Sequence, residues 1–148
     1  MRLRGRLIQH EPLADALVTT GSGGNLSANN FGGAGGLAVA ASSLPKGTFQ
    51  TVLQFDLAGA CNSFDTQFGA SQWTLQSVTL QLTAAAGQRG ISLLKNNSWV
   101  EGTGTPATPT TDGISYDSLL STLIDNANNQ ALGNFSFGGG AVARTVTC

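Results

Sequence analysis

The sequence predicts an all-β protein, a jelly-roll-like antiparallel β-sandwich with one short α-helix near residues 112–125. The first observation is the alternation in residues 49–57, where the Phe and Leu side chains share one parity and Gln50, Gln54 and Asp56 share the other. This alternation is typical of a strand with one buried and one solvated face. The second observation is a composition of 20 glycines and only 10% charged residues, which favours strands and turns.

The strands are short apolar runs separated by turns rich in Gly and Asn. We predict them at residues 14–20, 37–40, 49–57, 73–84, 90–95, 131–137 and 142–147. In residues 73–84 the apolar parity changes between Leu75 and Val78, so a strand that buries both needs a β-bulge near Gln76.

Two helical segments interrupt the strands. In residues 112–125 the apolar side chains from Tyr116 to Ile124 recur at helical spacing, and Asp112 or Ser115 is available as the N-cap. A single helical turn is predicted at residues 62–69.

The 148 residues are sufficient for one domain. We expect residues 1–13 to form a disordered N-terminal arm and residues 14–148 to form the sandwich. Three of the seven basic residues are Arg2, Arg4 and Arg6, which leaves four against eight acidic residues in the remainder. That remainder has no basic surface for a phosphate backbone, so nucleic-acid binding is not predicted.

No segment approaches the roughly 20 apolar residues of a membrane span. The basic N-terminus is not followed by the apolar stretch of a signal peptide. The composition nevertheless favours an extracellular location. Cys61 and Cys148 allow one disulfide, or one buried thiol and one frayed terminal thiol; the terminal position of Cys148 favours the second alternative.

Few catalytic arrangements are available. His10 is the only histidine, which excludes Ser-His-Asp hydrolysis and multi-histidine zinc sites. Carboxylate pairs for a glycosidase or lyase are limited to Glu101 with Asp112 and Asp56 with Asp117. Residues 33–38 match a dinucleotide-binding glycine motif, but no buried strand precedes them and no helix of sufficient length follows.

A candidate sugar-binding site lies around Trp99, where an aromatic ring, a carboxylate and amides are close in sequence. An aromatic ring stacks on the apolar face of a sugar, and carboxylates and amides bind its hydroxyls. The ligand-binding candidates are Trp99, Glu101, Asn96 and Asn97. The alternative is that Trp99 covers one end of the sandwich and Glu101 orders the loop.

Hard oxygen ligands occur near the first strand and the loop that follows it. Asp15, Asn29 and Asn30, with glycine carbonyls, are candidate ligands for a structural Ca²⁺. The alternative is that these residues form turns, which Asn and Asp favour.

Several short motifs follow one another in an order that resembles a known family. They are residues 15–18, 30–33, 37–39, 55–57, 99–102 and 113–116, with further similarity in 73–80 and 101–106. Together they resemble the DNRLRE-type, carbohydrate-binding-module-like β-sandwich domain of secreted bacterial proteins, and in particular the ectodomains of PEP-CTERM-sorted proteins.

The resemblance implies an exported, usually non-catalytic jelly-roll domain associated with polysaccharide or the cell surface. Two departures are the absence of the family's sorting tail and the end of the chain after Thr147, where further strand is expected. The sandwich is therefore expected to be truncated at its C-terminus, which leaves an open sheet edge.

The leading prediction is a secreted, non-enzymatic binding module for extracellular or cell-surface polysaccharide (exopolysaccharide), without membrane insertion. The alternative is a structural surface or matrix protein that self-associates through sheet edges. The third hypothesis is a glycosidase or lyase that depends on carboxylates.

Overall fold

The fold is mainly β and antiparallel, which confirms the coarse class predicted from the sequence. The computed structural model describes residues 8–40, 45–84, 87–125, 127–137 and 142–147. The strands are β1 (Ala14–Thr19), β2 (Phe49–Gln54), β3 (Thr79–Ala84), β4 (Gly87–Leu93), β5 (Gln130–Phe137) and β6 (Val142–Thr147). They form three two-stranded sheets, β1 with β2, β3 with β6 and β4 with β5. Their arrangement as a jelly roll stays a prediction.

Two α-helical segments accompany the strands, α1 (Leu57–Phe68) and α2 (Tyr116–Ser118). The chain continues from α2 as a π-helical turn, Leu119–Leu123, and we call the two together the α2 segment. Short 3₁₀ turns lie at Ser22–Gly24 and Gly32–Ala34.

The β1–β2 pair buries a different face from the one predicted. Ala16 lies opposite Val52 in the ladder, and both are buried together with Val18. The predicted inward parity was wrong, since the buried residue Val52 has the opposite parity. Leu57, predicted to share the strand, is the first residue of α1 and is 68% exposed. Directly opposed residues share one face of a sheet, so the partners on β1 decide which face of β2 enters the core.

The boundaries of this first pair also differ from the prediction. The amide of Leu13 donates to the carbonyl of Gln54 at 2.7 Å, so backbone pairing begins within the segment predicted to be a disordered arm. Residues 1–7 lie outside the described part of the chain. The strand predicted at 37–40 is absent, and only Ala40 forms an isolated bridge, to Phe49.

Helix α1 is much longer than the single turn predicted at 62–69. The carboxylate of Asp56 accepts a hydrogen bond from the amide of Gly59 at 2.8 Å and caps its first turn. At the other end Gly69, with φ of 90°, donates its amide to the carbonyl of Asp65 at 2.8 Å. No residue of α1 is buried. Cys61 on this helix is exposed, contrary to the buried thiol expected, and Cys148 lies outside the described residues.

Trp73 does not belong to a strand, because β3 begins only at Thr79. The indole packs against Phe64 of α1, with ring centroids 4.8 Å apart, and its Nε1 donates to Asp65 at 2.8 Å. The bulge predicted near Gln76 is absent, since Leu75 lies before the strand and is 53% exposed. The ladder irregularity lies in the β4–β5 pair instead.

The helix predicted at 112–125 is present but shorter. It begins after Ser115, whose side chain and that of Ser118 form a reciprocal capping box. Leu119 and Leu123 are buried, whereas Leu120 is 46% exposed. This segment therefore packs one side against β1 and β2.

The buried core lies between the β1–β2 pair and the α2 segment. Its members are Ala16, Val18, Val52, Ile114, Leu119 and Leu123, with Leu94, Trp99, Tyr116 and Ile124 packed at its margin. The loop that contains Trp99 is thus held against the core at one end.

Candidate binding site

The side chain of Asn30 organises the long loop between β4 and α2. It is fully buried, and its Nδ2 donates to the carbonyls of Glu101 at 2.6 Å and Ile114 at 2.8 Å. Its Oδ1 accepts from the amides of Gly32 at 3.1 Å and Gly104 at 3.0 Å. One amide side chain therefore satisfies four backbone groups, and it ties the loop to the segment that follows β1.

The glycines around Asn30 are required by close approach of the backbone. A Cβ on Gly104 would lie 2.0 Å from the carbonyl oxygen of Asn30, and one on Gly32 would lie 2.0 Å from that of Glu101. These distances are far shorter than any van der Waals contact. The repeated glycines in this loop are therefore packing residues.

Asp112 fixes the second half of the loop. One carboxylate oxygen accepts from the amide of Thr103 at 3.0 Å and from the hydroxyl of Thr110, and the other accepts from the hydroxyl of Thr103 at 2.6 Å. Hydrogen bonds from the side chain of Thr103, from that of Thr110 and from the Thr103 amide lower the pKa of Asp112 to about 2. The carboxylate is exposed and stays charged at ordinary pH.

The loop and the α2 segment enclose an open cleft of about 300 Å³, which we call the Trp99 cleft. Its lining residues include Trp99, Asp112 and several polar residues, together with Ile114 and Leu123 of the core. The polar members are Ser98, Thr111, Ser118 and Thr122.

A second open cleft, of about 440 Å³, lies beside the glycine-rich segment that follows β1; we call it the glycine cleft. Asp15 and Glu101 contribute its two acidic residues. Its other residues are Gly32, Gly33, Gly35, Gly36 and Leu37.

The structure separates the four predicted sugar-binding residues. Trp99 lines its own cleft and also packs at the margin of the core, whereas Glu101 lines the glycine cleft. Asn96 holds the loop, since its Nδ2 donates to the carbonyl of Thr122 at 3.1 Å and its Oδ1 accepts from the amide of Ser98 at 2.8 Å. Asn97 is exposed and lines neither cleft.

In neither of the predicted carboxylate pairs do both residues line the same cleft. Asp112 lines the Trp99 cleft and Glu101 the glycine cleft. In the second pair, Asp56 caps α1 and Asp117 accepts a hydrogen bond from the hydroxyl of Ser27 at 3.0 Å. Neither pair therefore faces a common substrate position in these two clefts.

The predicted calcium ligands also have different surroundings. Both ends of the Asn30 amide are occupied by protein partners, so its side chain cannot bind a cation without breaking the loop. Asp15 lines the glycine cleft, and Asn29 is half-buried beside Asn30. Within the described residues, no three His, Cys, Asp or Glu side chains are grouped as metal ligands. Calcium binding by Asp15 and Asn29 stays a prediction.

Two important residues have roles that the sequence did not indicate. Asn30 was predicted as a metal ligand, and Asp112 as a helix cap or catalytic acid. The sequence signal that could have indicated the role of Asn30 is the set of glycines at 32, 102, 104 and 113. Glycines at such positions indicate backbone segments that approach closely around a buried group.

Comparison of the chain with protein-family models, with curated proteins and with solved structures found no match. None of the described helices has the length and hydropathy needed to cross a lipid bilayer.

Proposed function

We propose that this protein is a non-catalytic binding module for extracellular or cell-surface polysaccharide, and that the Trp99 cleft is its binding site. The observation that supports this proposal is the combination in one open cleft of an indole, a charged carboxylate and polar residues with hydroxyl groups. The low charge of the chain and its resemblance to secreted jelly-roll modules support an exported location.

The chemistry of the cleft suits a sugar. The indole of Trp99 is half-buried, so part of its ring remains available for stacking on the apolar face of a pyranose. Asp112 accepts hydrogen bonds, and hydroxyl groups such as that of Ser118 can both donate and accept. A volume of about 300 Å³ is at the lower end of small-molecule sites, which fits one sugar unit of a longer chain.

The site is also held in place. Asn30 fixes the loop through the carbonyls of Glu101 and Ile114, and Asp112 is bound by the two threonines of the same loop. A loop ordered before binding loses less conformational entropy when the ligand binds.

The test is retention on a panel of soluble polysaccharides in affinity electrophoresis. We expect the wild-type protein to be retained by at least one of them, and Trp99→Ala to lose that retention. Trp73→Ala is the matched control, because Trp73 packs on α1 and lines neither cleft. Since Trp99 also touches the core, circular dichroism must show that both variants are folded. Equal mobility of the wild-type protein on every polysaccharide contradicts the proposal.

A second candidate function is assembly through sheet edges, as in a structural surface or matrix protein. Among the described residues, β3 and β6 pair only with each other, as do β4 and β5, so each strand leaves one edge unpaired. The sequence of β3 has no charged residue or proline to oppose pairing with another chain. Size-exclusion chromatography and negative-stain microscopy test this function. It predicts oligomers or fibres without added sugar, and a monomer at high concentration excludes it.

A further inference from the structure

The charge distribution around the Trp99 cleft restricts which sugars it can bind. Among the described residues that line it, Asp112 is the only one that carries a charge at neutral pH, and none is Lys, Arg or His. A carboxylate brought into this cleft would face another carboxylate without a cation to neutralise either. Like charges brought close together repel each other, although water weakens the repulsion at an exposed site such as this one.

The carboxylate of Asp112 keeps hydrogen-bonding capacity for a ligand. Among the described residues, one of its oxygens accepts from both Thr103 and Thr110, and the other accepts from the hydroxyl of Thr103. A carboxylate oxygen can accept two hydrogen bonds, so these three contacts leave a position on the carboxylate for a ligand. The low pKa of Asp112, about 2, means that this position is an acceptor and not a donor at neutral pH.

We propose, on the basis of the function proposed above, that the Trp99 cleft binds neutral and amino sugars, whose hydroxyl or ammonium groups donate to Asp112, and rejects uronic acids. The glycine cleft acts in the same direction, because its ionisable residues, Asp15 and Glu101, are also acidic. An anionic polysaccharide that extended from one cleft to the other would meet carboxylates in both.

The experiment compares three immobilised hexasaccharides: one of glucosamine, one of glucose and one of galacturonic acid. Biolayer interferometry with the full chain measures the three dissociation constants. We expect binding to decrease from glucosamine to glucose, with none to galacturonate. Tightest binding to galacturonate overturns this inference and leaves the polysaccharide-binding function intact. Absence of binding to all three, and to every polysaccharide in the electrophoresis panel, overturns the function itself.

A matched pair of variants assigns the preference to Asp112. Asp112→Asn retains the shape of the side chain and removes its charge; we expect affinity for the glucosamine hexamer to fall about tenfold, as for loss of a hydrogen bond to a charged group. Glu11→Gln makes the same change of net charge at an exposed residue that lines neither cleft, and should leave affinity unchanged. Equal effects of the two variants overturn the assignment.

Salt dependence of the wild-type protein gives a test that does not depend on the folding of a variant. Increasing salt should weaken binding of the glucosamine hexamer, because salt screens the attraction between ammonium and carboxylate groups. Binding of the glucose hexamer should change little. Identical salt dependence for the two sugars contradicts a role for the charge of Asp112.

Discussion

The two regions of this molecule are held together in different ways. The core region comprises residues 13–40, 45–54 and 94–124, and it contains the buried hydrophobic side chains that β1, β2 and the α2 segment bring together. The outer region comprises residues 57–93 and 130–147, with α1 and the pairs β3–β6 and β4–β5. Exposed apolar side chains occur in both regions, for example Val100 in the core region and Leu75 in the outer one. Stability should therefore be concentrated in the core region, where apolar burial and the Asn30 hydrogen bonds coincide.

The core region shows how one buried polar side chain can order a long loop. The core region joins its loop to its strands through one buried amide with four backbone partners. In the outer region β3 pairs with β6 and β4 with β5, and β5 also lies close to β6. Each region contains one of the two tryptophans, Trp99 in the core region and Trp73 in the outer one, so single-tryptophan proteins can report on each.

The largest expected effect is that of Asn30→Ala, which leaves the partners of the amide without hydrogen bonds inside the core region. We expect the free energy of unfolding to fall by about 4 kcal/mol, since each unsatisfied buried group costs about 1–3 kcal/mol and some of them will reach water. Urea unfolding followed by Trp99 fluorescence in a Trp73→Phe background measures it. Asn29→Ala is the control, because its half-buried side chain has no hydrogen bond among the described residues. Equal losses for Asn29 and Asn30 would refute the proposed role of the amide.

Leu123→Ala should be next in size, with a loss of about 2–4 kcal/mol from a cavity in the core. Leu123 is 2% exposed and Leu120, in the same helical turn, is 46% exposed. Leu120→Ala should therefore cost well under half as much in the same urea experiment. If the two leucines cost the same, the α2 segment does not pack against β1 and β2 as described.

Phe64→Ala should cost about 1 kcal/mol, in the range of an aromatic pair at a partly exposed position. The change should be detected by Trp73 in a Trp99→Phe background, because the two rings are 4.8 Å apart. Trp99 should report almost no change, if the regions unfold separately. Leu57 lies on the same helix and is 68% exposed, so Leu57→Ala should change the unfolding transition seen by neither tryptophan. If the unfolding transitions followed by Trp73 and by Trp99 coincide in every variant, the molecule unfolds as one cooperative unit and the distinction between the two regions is wrong.

The smallest expected effect is the pH dependence due to Asp112. Its pKa is lowered from 3.8 to about 2 in the folded protein, so the unfolded chain binds more protons in that interval. The contribution of Asp112 is therefore fully present above a pH of about 4 and is lost as the pH falls through about 2. Urea midpoints of the Trp99 transition across this interval should fall less steeply in Asp112→Asn than in the wild-type protein. Parallel slopes for the two proteins contradict the hydrogen bonds assigned to this carboxylate.

Local patterns in the sequence determined the mainly-β class and several elements. Strands were predicted at 14–20, 131–137 and 142–147, and the structure places strands at each of them with small changes of boundary. The capping role of Ser115 and the helical spacing before Ile124 also predicted the α2 segment. These signals succeed because alternation, helical spacing and capping depend on neighbours within a few residues.

Only the tertiary structure decided which faces and partners these elements have. Val52 and not Leu53 enters the core because β1 presents Ala16 and Val18 to that face. Trp99 was identified from the sequence as a candidate, but Glu101 is only two residues away and lines a different cleft. The carbonyls that accept from Nδ2 of Asn30 lie 71 and 84 residues away in the chain, so no local pattern could assign them. Burial and hydrogen bonding of this kind depend on contacts between distant segments, which form only when the chain is folded.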